Sequence, residues 1–181
     1  MPRIEALTDD QADGQAAELF SAITQKVGKV PNLYRTLGQA PSVLAGLLQL
    51  GEVLDGGSLS APVKEQIALR VANRNGCEYC ETAHTAIGKM VGLSEDQTVA
   101  ARQGSADDAK AQAILQLVDA ILEREGFVTD DQLAAARDAG ITDAEVFEVT
   151  GQVIKNFFTN FVNHIAQTEV DFPKIPQLQQ A

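Results

Sequence analysis

Glu65, Cys77, Cys80 and His84 are the residues whose types and spacing could do chemistry. The two cysteines are the only ones in the chain and stand as Cys77-Glu78-Tyr79-Cys80. His84 follows four residues after the second, and Glu65 lies twelve residues before the first. Residues three, four and seven apart share a helix face, so one helix through this stretch would present both sulfurs and the imidazole on one side. A thiol pair, a base and a carboxylate within twenty residues form a redox constellation. Thiolates exchange with disulfides and are oxidised by peroxides, and both reactions require proton transfer.

The elements that must position these groups are legible locally. Asn75-Gly76 is a turn signal, so one helix ends and another begins at Cys77. Cys80 then falls in the first turn of the new helix, where the helix dipole and free N–H groups favour a thiolate. His84 lies one turn further along the same face, continued by Ile87 and Val91, so its imidazole points into apolar surroundings. Glu65 belongs to the preceding helix, with Ala68, Leu69 and Ala72 as its face partners. A carboxylate in an apolar stripe needs a partner, and His84 can supply one directly or through a water. Glu65–His84–cysteine would then be a proton relay that activates a nucleophile. The blander readings are a satisfied core histidine and a surface glutamate paired with Lys64 or Arg70. The adjacent thiols tip the balance toward function.

Along the whole chain the pattern is helical, with helices predicted near 9–27, 32–39, 42–55, 61–74, 78–91, 95–103, 106–125, 130–139 and 143–167. No run alternates like a strand, so the fold class is all-α. Capping boxes are expected at Thr8/Gln11, Ser94/Gln97, Thr129/Gln132 and Thr142/Glu145, and stops at Gly126 and Gly140. Pro31, Pro41 and Pro62 suit helix starts. From Asp171 onward, Pro173 and Pro176 exclude a helix and predict an extended tail over 171–181. The chain reads as one compact multi-helix domain, 1–181. Its core spans about 40–125, and helices 9–39 and 143–167 pack on that core. Residues 43–50 are apolar nearly all round, which favours a core helix over a subunit contact. His164, among Phe157, Phe158, Phe161 and Ile165, reads as a packing residue. Asn160, Asn163 and His164 would form a polar patch near the cysteines only if the fold brought them there.

Composition narrows the partners. With 45% apolar and 22% charged residues the chain is an ordinary folded protein. A net charge of −11 argues against nucleic acid and anionic membrane surfaces. No apolar run reaches spanning length, and the first ten residues lack a signal peptide's apolar core. A cytoplasmic location is therefore expected, where a C-x-x-C pair is catalytic or metal-binding rather than a staple.

The pattern E-x(11)-C-x-x-C-x(3)-H on two consecutive helices of an all-α chain resembles the alkylhydroperoxidase D-like proteins of the carboxymuconolactone decarboxylase superfamily. Residues 40 to 125 carry the likeness. Val30-Pro31-Asn32-Leu33-Tyr34-Arg35 and the segment from Asn160 to Glu169 look like flanking parts of that superfamily's peroxidase-related members. The resemblance implies that Cys80 attacks a hydroperoxide or a disulfide substrate. Cys77, one turn earlier and more exposed, would resolve an internal disulfide, while Glu65 and His84 carry protons away from Cys80. It also implies a thiol reductant, protein or small molecule, and a homo-oligomer, trimeric or hexameric. Neither a cofactor nor a metal is called for. The best-known members carry a histidine immediately before the second cysteine, whereas this chain has Tyr79, which cannot shuttle protons at neutral pH and on an ideal helix faces away from the sulfurs.

Three competitors are weighed. Cys77, Cys80 and His84 with Glu65 or His164 could bind zinc, although the ligand spacing is unusual. A carboxymuconolactone decarboxylase-like lyase would not need the cysteine pair. A redox-responsive assembly protein would be oxidised once, without turnover.

Overall fold

The computed structural model describes residues 1–175 and 178. Among them nine α-helices and no strand are formed: α1 (Gly14–Val27), α2 (Asn32–Leu37), α3 (Pro41–Asp55), α4 (Ala61–Asn75), α5 (Glu78–Met90), α6 (Glu95–Arg102), α7 (Ala109–Glu123), α8 (Asp130–Asp138) and α9 (Asp143–Ala166). All nine predicted helices are present. The capping boxes at Ser94, Thr129 and Thr142 close reciprocally, each hydroxyl accepting the N3 backbone N–H while the N3 side chain accepts from the cap's own N–H.

Two helix starts differ from expectation. The Thr8 N–H does donate to Gln11 Oε1 at 2.9 Å, but residues 9–11 make only a turn. Gly14 takes φ +45°, which a right-handed helix cannot pass through, so α1 starts there instead of at residue 9. α7 starts at Ala109 because Asp108 caps it, accepting the Ala111 N–H at 2.8 Å.

α4 is the central element, packing against α5, α6, α7 and α9. Its Ile67, Leu69 and Val71 are wholly buried. Ile67 and Val71 join a cluster with Ile114, Val118, Val149 and Val153 from α7 and α9. A second cluster lies between α1–α3 and α5 and contains both cysteines, with Phe20, Leu33, Leu44 and Leu47.

Two expectations about apolar helices change. α3 buries Leu44 and Leu47 but leaves Val43, Leu50 and Val53 exposed, so it is a core helix on one face only. α9 likewise exposes Ile154, Phe158, Phe161 and Ile165, spaced four, three and four apart along one stripe. His164 sits on the solvent side and is not a core residue.

After α9 the chain turns at Gln167, in the left-handed region with φ +50°. Residues 171–175 are not helical, in line with Pro173, and Pro176 lies outside the described residues. The tail is fastened near its start. Asp171 accepts hydrogen bonds from Lys29 and Tyr79, and Phe172 packs edge-on against Tyr79 with centroids 5.7 Å apart.

Candidate active site

The turn between α4 and α5 sets the site. Gly76 adopts φ +65°, which only glycine takes without strain, and reverses the chain. The Cys77 N–H then donates to the Ala72 carbonyl at 2.9 Å, closing α4 in a Schellman-type turn. The Cys77 carbonyl accepts the Glu81 N–H at 2.9 Å, opening α5. Cys77 is therefore the N-cap of α5 and Cys80 its third residue. Both are free thiols, hydrogen-bonded sulfur to sulfur at 2.7 Å.

Their protonation is divided. The Cys77 thiol is lowered, chiefly because the Cys80 side chain hydrogen-bonds to its anion, with help from the Cys80 backbone N–H and from Asn163. The Cys80 thiol is raised well above its ordinary value, first by burial and then by the hydrogen bond to Cys77 and the charge there. The thiol that ionises more readily is thus the cap residue's and not Cys80's, because the Cys77 sulfur receives the hydrogen bonds that favour its anion. The expected difference in exposure is absent: Cys77 is 1% and Cys80 2% exposed.

Glu65 and His84 meet as anticipated. The His84 Nδ1–H donates to Glu65 Oε2 at 2.8 Å across the α4–α5 interface, leaving Nε2 as the free basic nitrogen. His84 and Cys80 line one cavity of about 280 Å³, together with Tyr34, Leu47, Leu48 and Lys155. Burial lowers the Lys155 ammonium, opposed by Asp55 and Glu65, and burial raises the Tyr34 hydroxyl. Cys77 does not line this cavity. It lines a separate groove of about 290 Å³ with Gly76, Asn163, His164, Gln167 and Thr168. The sulfurs touch each other, yet they border different spaces.

α9 completes the site. Asn163 Nδ2 donates to Cys80 Sγ at 3.2 Å. Asn160 accepts from Asn75 Nδ2 at 2.8 Å; its own amide nitrogen is buried with no partner among the described residues, though it lies near enough to favour a Cys80 thiolate. The polar patch of Asn160, Asn163 and His164 is thereby assembled around the cysteines, with His164 exposed at the groove. Lys155 and Tyr34 could not have been found this way. Each looks like a surface residue in sequence, and only the packing of α2, α3 and α9 encloses them.

Tyr79 turns away from the sulfurs. Its hydroxyl accepts the Leu33 N–H at 3.1 Å and donates to Asp171 Oδ1 at 2.8 Å, and burial raises it further out of titration range. It fastens α2 and the tail to α5. Among the described residues no group of three or more His, Cys, Asp and Glu side chains is arranged to hold a metal ion, and no helix is long and apolar enough to cross a membrane.

Residues 41–123, from α3 to the end of α7, match the carboxymuconolactone decarboxylase family. An uncharacterized peroxidase-related protein from Ralstonia eutropha JMP134 with an alkylhydroperoxidase AhpD core is 19% identical, with 94% of this chain and 92% of that one covered at a TM-score of 0.83. A peroxidase-related protein from Silicibacter sp. TM1040 is also 19% identical, covering 92% of each chain at 0.80. The debrominase Bmp8, in complex with 2,3,4-tribromopyrrole, is 17% identical over 93% of this chain and 91% of that one at 0.78. No curated protein matches the chain. At these identities the structural likeness is one of fold. The stretch that matches the family, residues 41–123, holds Glu65, both cysteines and His84, and the chain as a whole has the alkylhydroperoxidase D-like fold.

Proposed function

We propose that the protein is a thiol-dependent peroxidase and disulfide oxidoreductase of antioxidant type. The observation that carries this reading is one sulfur, Cys80, bordering a cavity shared with His84, which Glu65 holds by a hydrogen bond, while the second sulfur hydrogen-bonds to Cys80.

In the proposed cycle a hydroperoxide enters the cavity. The Cys80 proton passes to the Cys77 thiolate or to His84 Nε2, and the Cys80 thiolate attacks the terminal peroxide oxygen. The O–O bond breaks, the alkoxide takes a proton from the relay and leaves as the alcohol, and Cys80 becomes a sulfenic acid. The Cys77 thiolate attacks that sulfur, hydroxide leaves and is protonated to water, and a Cys77–Cys80 disulfide forms. Two electrons from an external thiol reductant restore the dithiol. The site needs no cofactor.

The exposed apolar faces of α3 and α9 support a homo-oligomer, trimeric or hexameric, because stripes of this kind are ordinarily covered. A reducing compartment such as the cytoplasm suits a dithiol that must be regenerated.

The test is intact mass and free-thiol count of the reduced protein after one equivalent of an organic hydroperoxide. Rapid loss of both thiols with no added oxygen supports the cycle. Two surviving thiols would overturn it.

A further inference from the structure

The cavity at Cys80 and the groove at Cys77 share no residue except Tyr79. A small oxidant has its space beside Cys80, among apolar side chains. The groove is built differently. Asn163, 4% exposed, lines it, and its Oδ1 is buried with no partner among the described residues. Thr168 lines it as well, and its buried hydroxyl is also unpartnered. An unsatisfied buried acceptor costs free energy unless a ligand completes it. Here an acceptor and a hydroxyl stand beside one reactive sulfur, which is the complement of a peptide unit: an N–H for Asn163 Oδ1 and a carbonyl for the Thr168 hydroxyl. His164 adds a basic imidazole exposed to the same groove.

We propose that this groove is the docking site of the reductant, that the reductant is a peptide-borne dithiol, and that it attacks Cys77, not Cys80. The proposal rests on the dithiol reading above. An incoming cysteine thiolate forms a bond to Cys77 Sγ. The Cys77–Cys80 bond breaks, and its electron pair leaves on Cys80 Sγ, where Asn163 Nδ2, 3.2 Å away in the reduced protein, holds the departing thiolate until it is protonated. The second thiolate of the peptide then attacks the peptide's own sulfur in the mixed disulfide. The peptide leaves as a disulfide, two electrons have been delivered, and Cys77 is released as a thiolate hydrogen-bonded to the Cys80 thiol. Substrate and reductant thereby use opposite ends of one S–S bond and do not compete for space.

The disulfide is first closed with diamide, so that the test does not depend on any reaction with peroxide. The oxidised protein is then mixed with a short peptide carrying one cysteine, quenched in acid and mapped by mass spectrometry. The peptide is expected on Cys77; a peptide found on Cys80 overturns the proposal. With a two-cysteine peptide, Thr168→Val is expected to lower the reduction rate about tenfold relative to the rate with dithiothreitol. An unchanged ratio overturns the peptide as the recognised class. Failure of diamide to close any disulfide would remove the dithiol reading itself, and this inference with it.

Discussion

The side chain of Asn163 on α9 donates to the sulfur of Cys80 on α5 at 3.2 Å, joining positions 83 residues apart. It is an amide donor to an enclosed Cys80 anion, and Asn160 supports the same anion. α9 therefore acts on the chemistry directly and does not merely cover the core.

Replacing Asn163 with leucine keeps the side-chain branching and removes the donor. A hydrogen bond to a charged group contributes about 1.5–3 kcal/mol, so peroxide consumption should fall at least about tenfold and the Cys80 thiol should titrate higher. Thermal stability should hold, because the substitution also deletes an unpartnered buried oxygen. Peroxide turnover equal to the parent's would remove Asn163 from the site.

The two cysteines should fail differently. Cys80→Ser should abolish hydroperoxide consumption, whereas Cys77→Ser should consume one equivalent and stop, leaving a sulfenic acid that dimedone traps. Equal residual turnover in both variants would contradict the division of roles.

Titration of the reduced protein should run in two steps. Cys77 has a folded value below its unfolded one, so holding it as a thiolate stabilises the fold above the ordinary thiol range. That contribution is lost as pH falls through the lowered Cys77 value. Cys80 is the opposite: keeping it neutral stabilises the fold below the ordinary range and is lost as pH rises through its raised value. Between the two the pair carries a single negative charge. Ultraviolet thiolate absorbance should register two separated steps, and Cys80→Ala should move the first one upward by removing the side-chain donor to Cys77. A single two-proton step at the ordinary thiol value would refute the arrangement.

Glu65→Gln leaves an oxygen for the His84 Nδ1–H but removes the carboxylate that could take up a proton in the relay. The Cys80 thiol should therefore titrate higher and turnover should slow. If neither the thiolate titration nor the rate moves, Glu65 does not belong to the relay.

Tyr79→Phe removes the hydroxyl that joins α2, α5 and the tail, leaving the Leu33 N–H without its acceptor. A stability loss of about 1–3 kcal/mol is expected, read as a lower Tm. Limited proteolysis should cut the tail near Asp171 sooner. Turnover should change less than about twofold, since Tyr79 faces the tail and carries no proton. A large loss of rate with an unchanged Tm would instead give Tyr79 a chemical role.

Much of this was legible in the sequence because it is local. Capping boxes act within four residues, and the Glu65–His84 contact follows once two consecutive helices fold back at Gly76. The paired sulfurs, too, lie within one helical turn. What could not be read is what each sulfur borders, since that is decided by α9 passing beside α5. Asn163 and His164 are adjacent in sequence, yet one reaches Cys80 while the other faces solvent. The apolar period of α9 fits two faces equally, Val149 and Val153 inward and Ile154, Phe158 and Phe161 outward. Periodicity reports that a face is apolar, and leaves open whether its own chain or another one covers it. The same ambiguity made the helix over 43–50 look buried all round.

The backbone of Cys77 is clamped on both sides, its N–H spent on the end of α4 and its carbonyl on the start of α5. With the main chain seated like a bearing, the sulfur is left as the moving part, swinging about its own side-chain torsions. Opening or closing the S–S bond at such a hinge needs little reorganisation of the surrounding helices. That low inertia suits a part that cycles many times, whereas a one-shot signal would need oxidation to move the scaffold itself.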